Sequence, residues 1–125
     1  MNILDNLKYT KSHEWVEETG AGTVRIGLSD FAQNELGDLV FVNLPEVGDT
    51  VTVEEPFADV ESVKAVSDVF SPVTGTVSAI NNDIADSPEK INSDPYGSWF
   101  IEVKDVTAKT ELLDSAAYKK ICEEA

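Results

Sequence analysis

Cysteine and histidine are almost absent from this chain of 125 residues, which contains one of each, Cys122 and His13. A single cysteine excludes an internal disulfide and any metal site built from several cysteines. Zinc sites of the His-Glu-x-x-His type need two histidines, so the string that begins at His13 and Glu14 cannot be one. A catalytic Cys122–His13 pair is disfavoured because no cluster of activating cations is evident around Cys122.

Basic residues are also scarce. Nine lysines and arginines stand against 24 aspartates and glutamates, for a formal net charge of -15. Nucleic-acid binding depends on lysine and arginine contacts to phosphate, so we expect no nucleic-acid partner. Anionic membranes are disfavoured for the same reason. Two interpretations of the acidity stay open: solubility alone, or docking to partners with basic faces, whose encounter it would accelerate.

Long apolar runs are missing as well, and none approaches the roughly 20 residues of a membrane-spanning helix. The first ten residues, MNILDNLKYT, resemble neither a signal peptide nor an arginine-rich transit peptide. We therefore expect a cytoplasmic protein, or a mitochondrial-matrix protein if the chain has been processed. The length predicts one domain over residues 1–125, with a core over about 7–107.

What the chain does contain is a series of short alternating segments separated by glycine and proline. Val24, Ile26 and Leu28 alternate with polar or small residues after a turn at Gly20–Gly22, which predicts a β-hairpin. Further strands are predicted within 38–63, 65–80 and 98–104, with turns at LPEVGD and SPVTG. This pattern is typical of a mostly β sandwich or barrel.

Helical spacing is confined to short pieces. The first covers residues 29–37, where Ser29 or Asp30 can cap the start and Gly37 suits the end. Its apolar face comprises Phe31, Ala32 and Leu36.

Two later segments complete the helical prediction. Residues 86–92 predict one turn with Ser87 as cap and Pro88 at the first helical position. A C-terminal helical segment is predicted from about Lys109 to Glu124, with Asp114 as a point of division. Its packing stripe comprises Leu112, Leu113, Ala116, Ala117 and Ile121.

Lys64 is a single lysine between small apolar residues in a strongly acidic chain. It lies between two predicted strands, flanked by Val63 and Ala65, with carboxylates nearby at Asp59, Glu61 and Asp68. A nucleophilic lysine needs a neutral amine, whereas nearby carboxylates favour the ammonium form. Taken alone, the segment therefore indicates an ordinary surface lysine at a hairpin tip.

A third interpretation is that Lys64 is an attachment point. An acylating enzyme needs a lysine on a rigid, exposed turn with small neighbours, and Val63 and Ala65 meet that need. Once amidated, the lysine becomes the root of a flexible arm that raises the effective concentration of its reactive end near each partner.

The segment ESVKAVSD at 61–68 resembles the lipoyl-lysine motif of the glycine cleavage system H proteins. Four further segments are similar to that family in the same order: YTKSHEW, IGLSDFAQNELGDLVFVNLPEVGD, SPVTGTV and NSDPYG. The likeness runs from about Leu7 to Tyr118, and only the loop before Trp99 is a residue shorter than usual. Biotin carriers resemble a Met-Lys-Met pattern instead, and lipoyl domains of 2-oxoacid dehydrogenases show an acidic residue where Val63 stands.

The resemblance implies a barrel-sandwich hybrid of the lipoyl/biotinyl type, with short helices and a helical C-terminal tail. It implies lipoate in amide linkage to Lys64, attached by a lipoate ligase or octanoyltransferase. The arm would collect an aminomethyl group from a pyridoxal-phosphate glycine decarboxylase and pass it to a tetrahydrofolate-dependent aminomethyltransferase. A dihydrolipoyl dehydrogenase would then reoxidise the arm. The protein itself would be a non-catalytic carrier, expected as a monomer.

The resemblance also implies roles for five other residues. Ser12, Glu14 and Asp68 would hold the amine of the loaded arm, although Glu14 is equally interpretable as a solvated strand residue. Glu61 and Gly75 would be read by the lipoylating enzyme. Two alternative functions stay open: a donor that relays lipoate to other complexes, and an interaction module whose lysine stays unmodified.

Overall fold

The structure, a computed structural model, describes residues 1–125 and contains nine strands and four helices. The strands are β1 (Lys8–Tyr9), β2 (Glu14–Gly20), β3 (Thr23–Leu28), β4 (Leu39–Asn43), β5 (Thr50–Val51), β6 (Pro56–Ser62), β7 (Val66–Phe70), β8 (Val73–Ile80) and β9 (Ile101–Lys109). The helices are α1 (Asp30–Leu36), α2 (Asn82–Asp86), α3 (Glu89–Ser93) and α4 (Ser115–Glu124).

The strands form two antiparallel sheets, which confirms the mostly β prediction. The larger sheet has the order β1-β2-β3-β9-β8-β5 and the smaller one the order β4-β6-β7. The two sheets do not join into a closed barrel. The predicted hairpin at the start of the chain is β2–β3, paired from Glu14↔Leu28 to Gly20↔Thr23.

The main core lies between the sheets and is filled by the inward side chains of both. Ile26 and Val103 contribute from the larger sheet, Val60 and Val69 from the smaller, and all four are completely buried. Because successive strand residues point to opposite faces, alternation in the sequence selects these side chains. Each such burial contributes about 1.5–3 kcal/mol before conformational entropy is subtracted.

A second, smaller cluster joins the two ends of the chain. Leu7, Tyr9 and Trp15 pack there against Tyr118 and Cys122 of α4. The rings of Tyr9 and Tyr118 stack with centroids 4.4 Å apart and planes 4° from parallel. The C-terminal helix is therefore packed against β1 and the start of β2.

Helix α1 confirms its sequence prediction in detail. The Ser29 hydroxyl accepts the Ala32 N–H at 3.2 Å and caps the first turn. The helix ends at Gly37, which adopts φ 81°, a left-handed conformation that glycine reaches without strain. Of the two proposed caps, Ser29 is the one used.

The prediction around residues 86–92 needs a correction. The sequence prediction did not include α2, whose first turn is capped by the Asn81 side chain accepting the Asp83 N–H. Ser87 follows α2 as its C-terminal cap, so it does not begin α3. Pro88 precedes α3, whose start has no side-chain cap. Five-residue helices are too short to show a helical repeat in the sequence.

The C-terminal prediction placed the helix too early. Strand β9 continues to Lys109, and α4 begins only after Asp114, whose carboxylate accepts the Ala117 N–H at 2.8 Å. Leu113 pairs with Tyr9 as an isolated β-bridge.

The predicted packing stripe at this end was also partly wrong. Leu112 and Leu113 lie between β9 and α4 and pack each against a different cluster, while Ala116 and Ala117 are exposed. The buried face of α4 is formed by Tyr118 and Cys122. None of the helices is both long enough and apolar enough to cross a membrane.

Candidate functional site

Lys64 lies at the tip of the β6–β7 hairpin, as predicted. Glu61 pairs with Val66, and the Ser62 N–H donates to the Ala65 carbonyl at 2.8 Å, which leaves Val63 and Lys64 as the turn. The Ser62 hydroxyl accepts the N–H groups of both Lys64 and Ala65 at 3.1 Å. Local side-chain bonds of this kind hold a turn in one conformation.

A further bond ties the tip to the chain after α1. The Val63 N–H donates to the Asp38 carbonyl at 3.1 Å. The Lys64 ammonium rests against the end of α1, where it donates to the Glu35 carbonyl at 3.4 Å. Because this contact is long and exposed, it leaves the amine accessible.

Exposed apolar side chains surround this tip. Phe41, Glu61 and Val66 lie directly opposite one another across the three strands, so their side chains share the outer face. Phe41 is 48% exposed, Val63 69% and Val66 66%, and neighbouring Val40 is 56% exposed. These are four of the six large hydrophobic residues that the protein leaves exposed, which favours a docking role for this face.

The second component of the site is the 10–14 corner, the bend of residues 10–14 that leads from β1 into β2. The His13 N–H donates to the Thr10 carbonyl at 3.1 Å, and the Thr10 N–H donates to the Glu14 carbonyl at 3.0 Å. His13 adopts φ 75°, a left-handed conformation that few residues other than glycine adopt. The sharp bend directs Ser12 and Glu14 toward β7, where Ser12 shares a cavity with Asp68 and Glu14 contacts Phe70.

Glu14 is buried, with 1% of its surface exposed, so its interpretation as a solvated strand residue is wrong. Its Oε1 accepts the hydroxyls of Ser12 at 2.5 Å and Thr10 at 2.7 Å, and its Oε2 accepts the Phe70 N–H at 3.4 Å. Burial raises the pKa of Glu14 above its ordinary value, and these hydrogen bonds oppose the shift.

Two cavities open on either side of Ser12. The larger has a volume of about 520 Å³ and is lined by Glu14, Phe70 and Thr110, among others. The smaller, of about 140 Å³, is lined by His13 and Asp68, together with apolar side chains of α1 and β6. The residues of α1 and β6 that line it are Ala32, Glu35, Leu36 and Val60.

The structure thus brings Ser12, Glu14 and Asp68 together around two adjoining cavities, although Asp68 itself is exposed. Glu35 connects this region to Lys64. Its backbone carbonyl accepts a hydrogen bond from the lysine ammonium, and Glu35 also lines the smaller cavity. The smaller cavity is therefore a partly apolar recess with polar residues in its lining, next to the residue that the Lys64 ammonium contacts.

A family model described as the glycine cleavage H-protein matches residues 7–125. The chain belongs to this family. A glycine cleavage system H protein of Lachnoclostridium phytofermentans is 55% identical over 120 residues, which cover 96% of this chain and 94% of the relative. A probable member from Pyrococcus furiosus is 50% identical over 119 residues, 93% of this chain and 89% of the relative.

A solved member of the family has the same fold. The crystal structure of the glycine cleavage system H protein from Mycobacterium marinum superposes with a TM-score of 0.90 at 42% identity. The match covers 94% of this chain and 97% of that one. The resemblance drawn from the motifs is confirmed, and so is the barrel-sandwich fold class.

The two residues predicted to be read by a lipoylating enzyme have different surroundings. Glu61 is half-buried in the outer row beside the tip. Gly75 lies buried on β8 of the other sheet, where a Cβ atom would sit 2.6 Å from Val103 Cγ1 and 2.7 Å from the Lys104 carbonyl. Close packing therefore requires glycine there, and a recognition role for Gly75 stays a prediction.

The Cys122–His13 pair does not form. Cys122 is buried in the second cluster, and burial raises the pKa of its thiol, which opposes thiolate formation. The His13 Nδ1 atom instead bonds the Tyr118 hydroxyl at 2.8 Å.

Sequence reasoning did not place Thr10, Glu35 or Tyr118 at this site. Thr10 and Glu35 line the cavities, and Tyr118 reaches the 10–14 corner from the far end of the chain. The position of Thr10, four residues before Glu14, was a usable signal for a local hydrogen bond. Nothing in the local sequence connects Tyr118 with His13.

Proposed function

We propose that this protein is the lipoyl-bearing shuttle of the glycine cleavage system, with lipoate in amide linkage to Lys64. The observation that carries the proposal is the placement of Lys64 within the family fold. Its amine is exposed at a turn that Ser62 and the Asp38 carbonyl hold in place. When attached, the lipoyl dithiolane supplies reversible disulfide–dithiol chemistry, with which it can carry an aminomethyl group and later two electrons.

Attachment requires that an acyltransferase bring its active site to the Lys64 amine. The Nζ–C bond of the new amide forms while the bond from the acyl carbon to its leaving group, an adenylate phosphate or a thiol sulfur, breaks. One proton leaves the nitrogen after the ammonium has lost another. Val63 and Ala65 present no bulky or charged side chain at this point, and the exposed face of Phe41 and Val66 adjoins it.

The proposed partners follow from the same role. A pyridoxal-phosphate glycine decarboxylase would load the carrier, a tetrahydrofolate-dependent aminomethyltransferase would unload it, and a dihydrolipoyl dehydrogenase would restore the disulfide. The protein would catalyse none of these reactions. An apolar face around Lys64 on a molecule of net charge -15 suits partners with an apolar centre and a basic rim.

A carrier of this kind also has to protect its cargo. An aminomethyl thioether with a free amine would decompose in water: the nitrogen lone pair would expel the sulfur as a thiolate, and water would hydrolyse the resulting iminium ion to formaldehyde and ammonia. A carboxylate beside the amine keeps it protonated and removes that lone pair from the reaction. We infer that Glu14 and Asp68 do this, with the Ser12 hydroxyl between them, since Ser12 lines both the cavity of Glu14 and the cavity of Asp68. The cavity of Asp68 also contains Glu35, whose carbonyl the Lys64 ammonium contacts.

Intact mass tests the proposal directly. Protein produced with lipoate available is expected to be heavier by one lipoyl group, which peptide mapping places on Lys64. An unmodified chain under those conditions would favour the plain interaction module. Deletion of the protein with loss of lipoylation on other complexes would instead support the relay function.

Cellular location stays part of this proposal. We expect the protein to work in the cytoplasm, where the other components of such a system would be found in a bacterium or archaeon. The relatives described above come from bacteria and an archaeon, so they give no support to the mitochondrial alternative.

A further inference from the structure

A line of buried hydrogen bonds runs behind the smaller cavity and joins three separate parts of the chain. The Ala32 N–H donates to the Ser29 hydroxyl, which lies 2.5 Å from the Tyr118 hydroxyl. The Tyr118 hydroxyl in turn lies 2.8 Å from His13 Nδ1. Ser29 and Tyr118 are both 0% exposed, so water does not replace these contacts.

The short contacts of this line favour one direction of donation. Ser29 accepts from Ala32, and its own proton then goes to the Tyr118 oxygen. The Tyr118 proton can go to His13 or to the Cys122 thiol, and the ring nitrogen, 2.8 Å away, is the stronger acceptor. Tyr118 then donates to His13 Nδ1, which requires a neutral ring with its proton on Nε2. Burial lowers the pKa of His13, while the charge of Glu35 opposes the shift. A neutral ring agrees with the direction that the hydroxyl groups impose.

His13 is also the strained residue of the 10–14 corner, with φ 75°. Such a conformation persists only where surrounding contacts hold it. Its carbonyl accepts the Ser29 N–H at 3.0 Å, and its ring packs on Phe31 with centroids 4.7 Å apart. Because Ser12 and Glu14 adjoin His13 in the chain, their directions depend on this residue keeping its conformation.

The two ends of the line border the same space. His13 and Ala32 both line the smaller cavity, which Asp68 closes from β7. Tyr118, on α4 outside the main core, is bonded to the corner on one side and to the cap of α1 on the other. One hydroxyl group therefore connects two walls of the cavity.

We propose that Tyr118 is a positioning residue for the loaded arm: by bonding His13 and Ser29 at once, it holds the 10–14 corner and α1 at the separation that shelters the aminomethyl group. This inference rests on the proposed carrier function and extends it to the C-terminal helix. Tyr118 does not touch the arm in this role and acts through His13.

The decisive variant is Tyr118→Phe, with Tyr9→Phe as its matched control. Tyr9 is equally buried and stacks on Tyr118, but its hydroxyl bonds the Leu4 backbone and Tyr96 and makes no bond to His13 or Ser29. Both variants lose one buried phenol oxygen from the same stacked pair. The carrier is lipoylated, loaded by the decarboxylase with glycine, and purified, and ammonia release is then followed without partners.

We expect Tyr118→Phe to release ammonia about two- to tenfold faster than the parent, the factor associated with loss of one hydrogen bond. Tyr9→Phe is expected to match the parent. Urea unfolding of both variants shows whether their stabilities are comparable. Equal release rates in the two variants at comparable stability would overturn the proposal.

A second measurement needs no loaded arm. Because His13 is the only histidine, its ¹⁵N resonances can be assigned without ambiguity. The parent protein is expected to carry the ring proton on Nε2, and Tyr118→Phe is expected to move the ring toward a mixture of tautomers. Tyr9→Phe should leave the spectrum unchanged. A parent ring protonated on Nδ1 would contradict the direction of the line and the proposal with it.

Two outcomes are kept distinct. If the folded parent releases ammonia as fast as the unfolded parent, the protein does not shelter the arm. In that case both the protective part of the proposed function and the role of Tyr118 are wrong. If the parent shelters the arm and Tyr118→Phe does so equally well, only the positioning role is wrong. Should Tyr118→Phe fail to fold, Ser29→Gly removes the bond between Ser29 and Tyr118 alone and keeps the helix start, since glycine is a tolerated N-cap; release at the parental rate would then overturn the proposal.

Discussion

The Lys64 hairpin and the 10–14 corner are two tight bends with opposite designs. The hairpin tip is exposed, and its conformation depends on neighbours within three residues and on one backbone bond to Asp38. The corner contains the completely buried Glu14 and the left-handed His13, and its support comes from residues as distant as Phe70 and Tyr118. The exposed bend is held mainly by local contacts, whereas the buried bend depends on contacts from remote segments of the fold.

The largest expected effect comes from the exposed side of this comparison. Lys64→Arg keeps the positive charge at an exposed position, so the free energy of unfolding should change by no more than about 0.5 kcal/mol. Arginine cannot accept the lipoyl amide, so glycine decarboxylation coupled to tetrahydrofolate should be lost completely. The measurement is the coupled assay beside urea unfolding. Coupled activity in the variant would remove Lys64 from the carrier role.

Glu14→Ala should show the reverse behaviour, with attachment kept and shelter lost. The hydroxyls of Thr10 and Ser12 lose their buried acceptor, which costs about 1–3 kcal/mol of stability. Lipoylation of Lys64 should proceed as in the parent, while ammonia release from the loaded carrier accelerates. Glu89→Ala is the control carboxylate, since Glu89 is exposed on α3 and lines neither cavity. Release at the parental rate in Glu14→Ala would exclude Glu14 from the shelter.

Gly75→Ala separates packing from recognition. A methyl group would meet Val103 Cγ1 and the Lys104 carbonyl at less than 3 Å, and overpacking of this kind costs about 1–3 kcal/mol. We expect a lower melting temperature, and the predicted role in recognition adds a slower lipoylation of the folded protein, measured well below the transition; an unchanged rate would leave Gly75 a packing role alone.

The smallest effect is a difference in pH dependence. Because burial raises the pKa of Glu14 in the folded state, the folded protein binds this proton more tightly than the unfolded chain. Its contribution is fully present below the ordinary value of 4.5 and is lost as pH rises through the raised value. Glu14→Gln cannot titrate, so its stability relative to the parent should rise over that range. Parallel stability curves for the two proteins would show that the shift is absent.

Much of the fold could be predicted from local patterns. Alternation identified the β2–β3 hairpin, and Ser29 with Gly37 marked both ends of α1, because caps and turns depend on a few adjacent residues. The same reasoning missed α2 and started the C-terminal helix too early. Residues 109–113 are not helical because β9 continues through Lys109 and Leu113 pairs with Tyr9, which are long-range contacts without a local signal.

The sequence by itself determined the mostly β architecture, the exposed lysine between two strands and the family to which the chain belongs. These depend on short-range periodicity and on motifs that occur in one order. Only the tertiary structure decided that Glu14 is buried, that Gly75 is required by packing, and that Tyr118 bonds His13 across 105 positions of the chain. The physical reason is that burial and strain are properties of what surrounds a residue, and those surroundings come from segments remote in sequence.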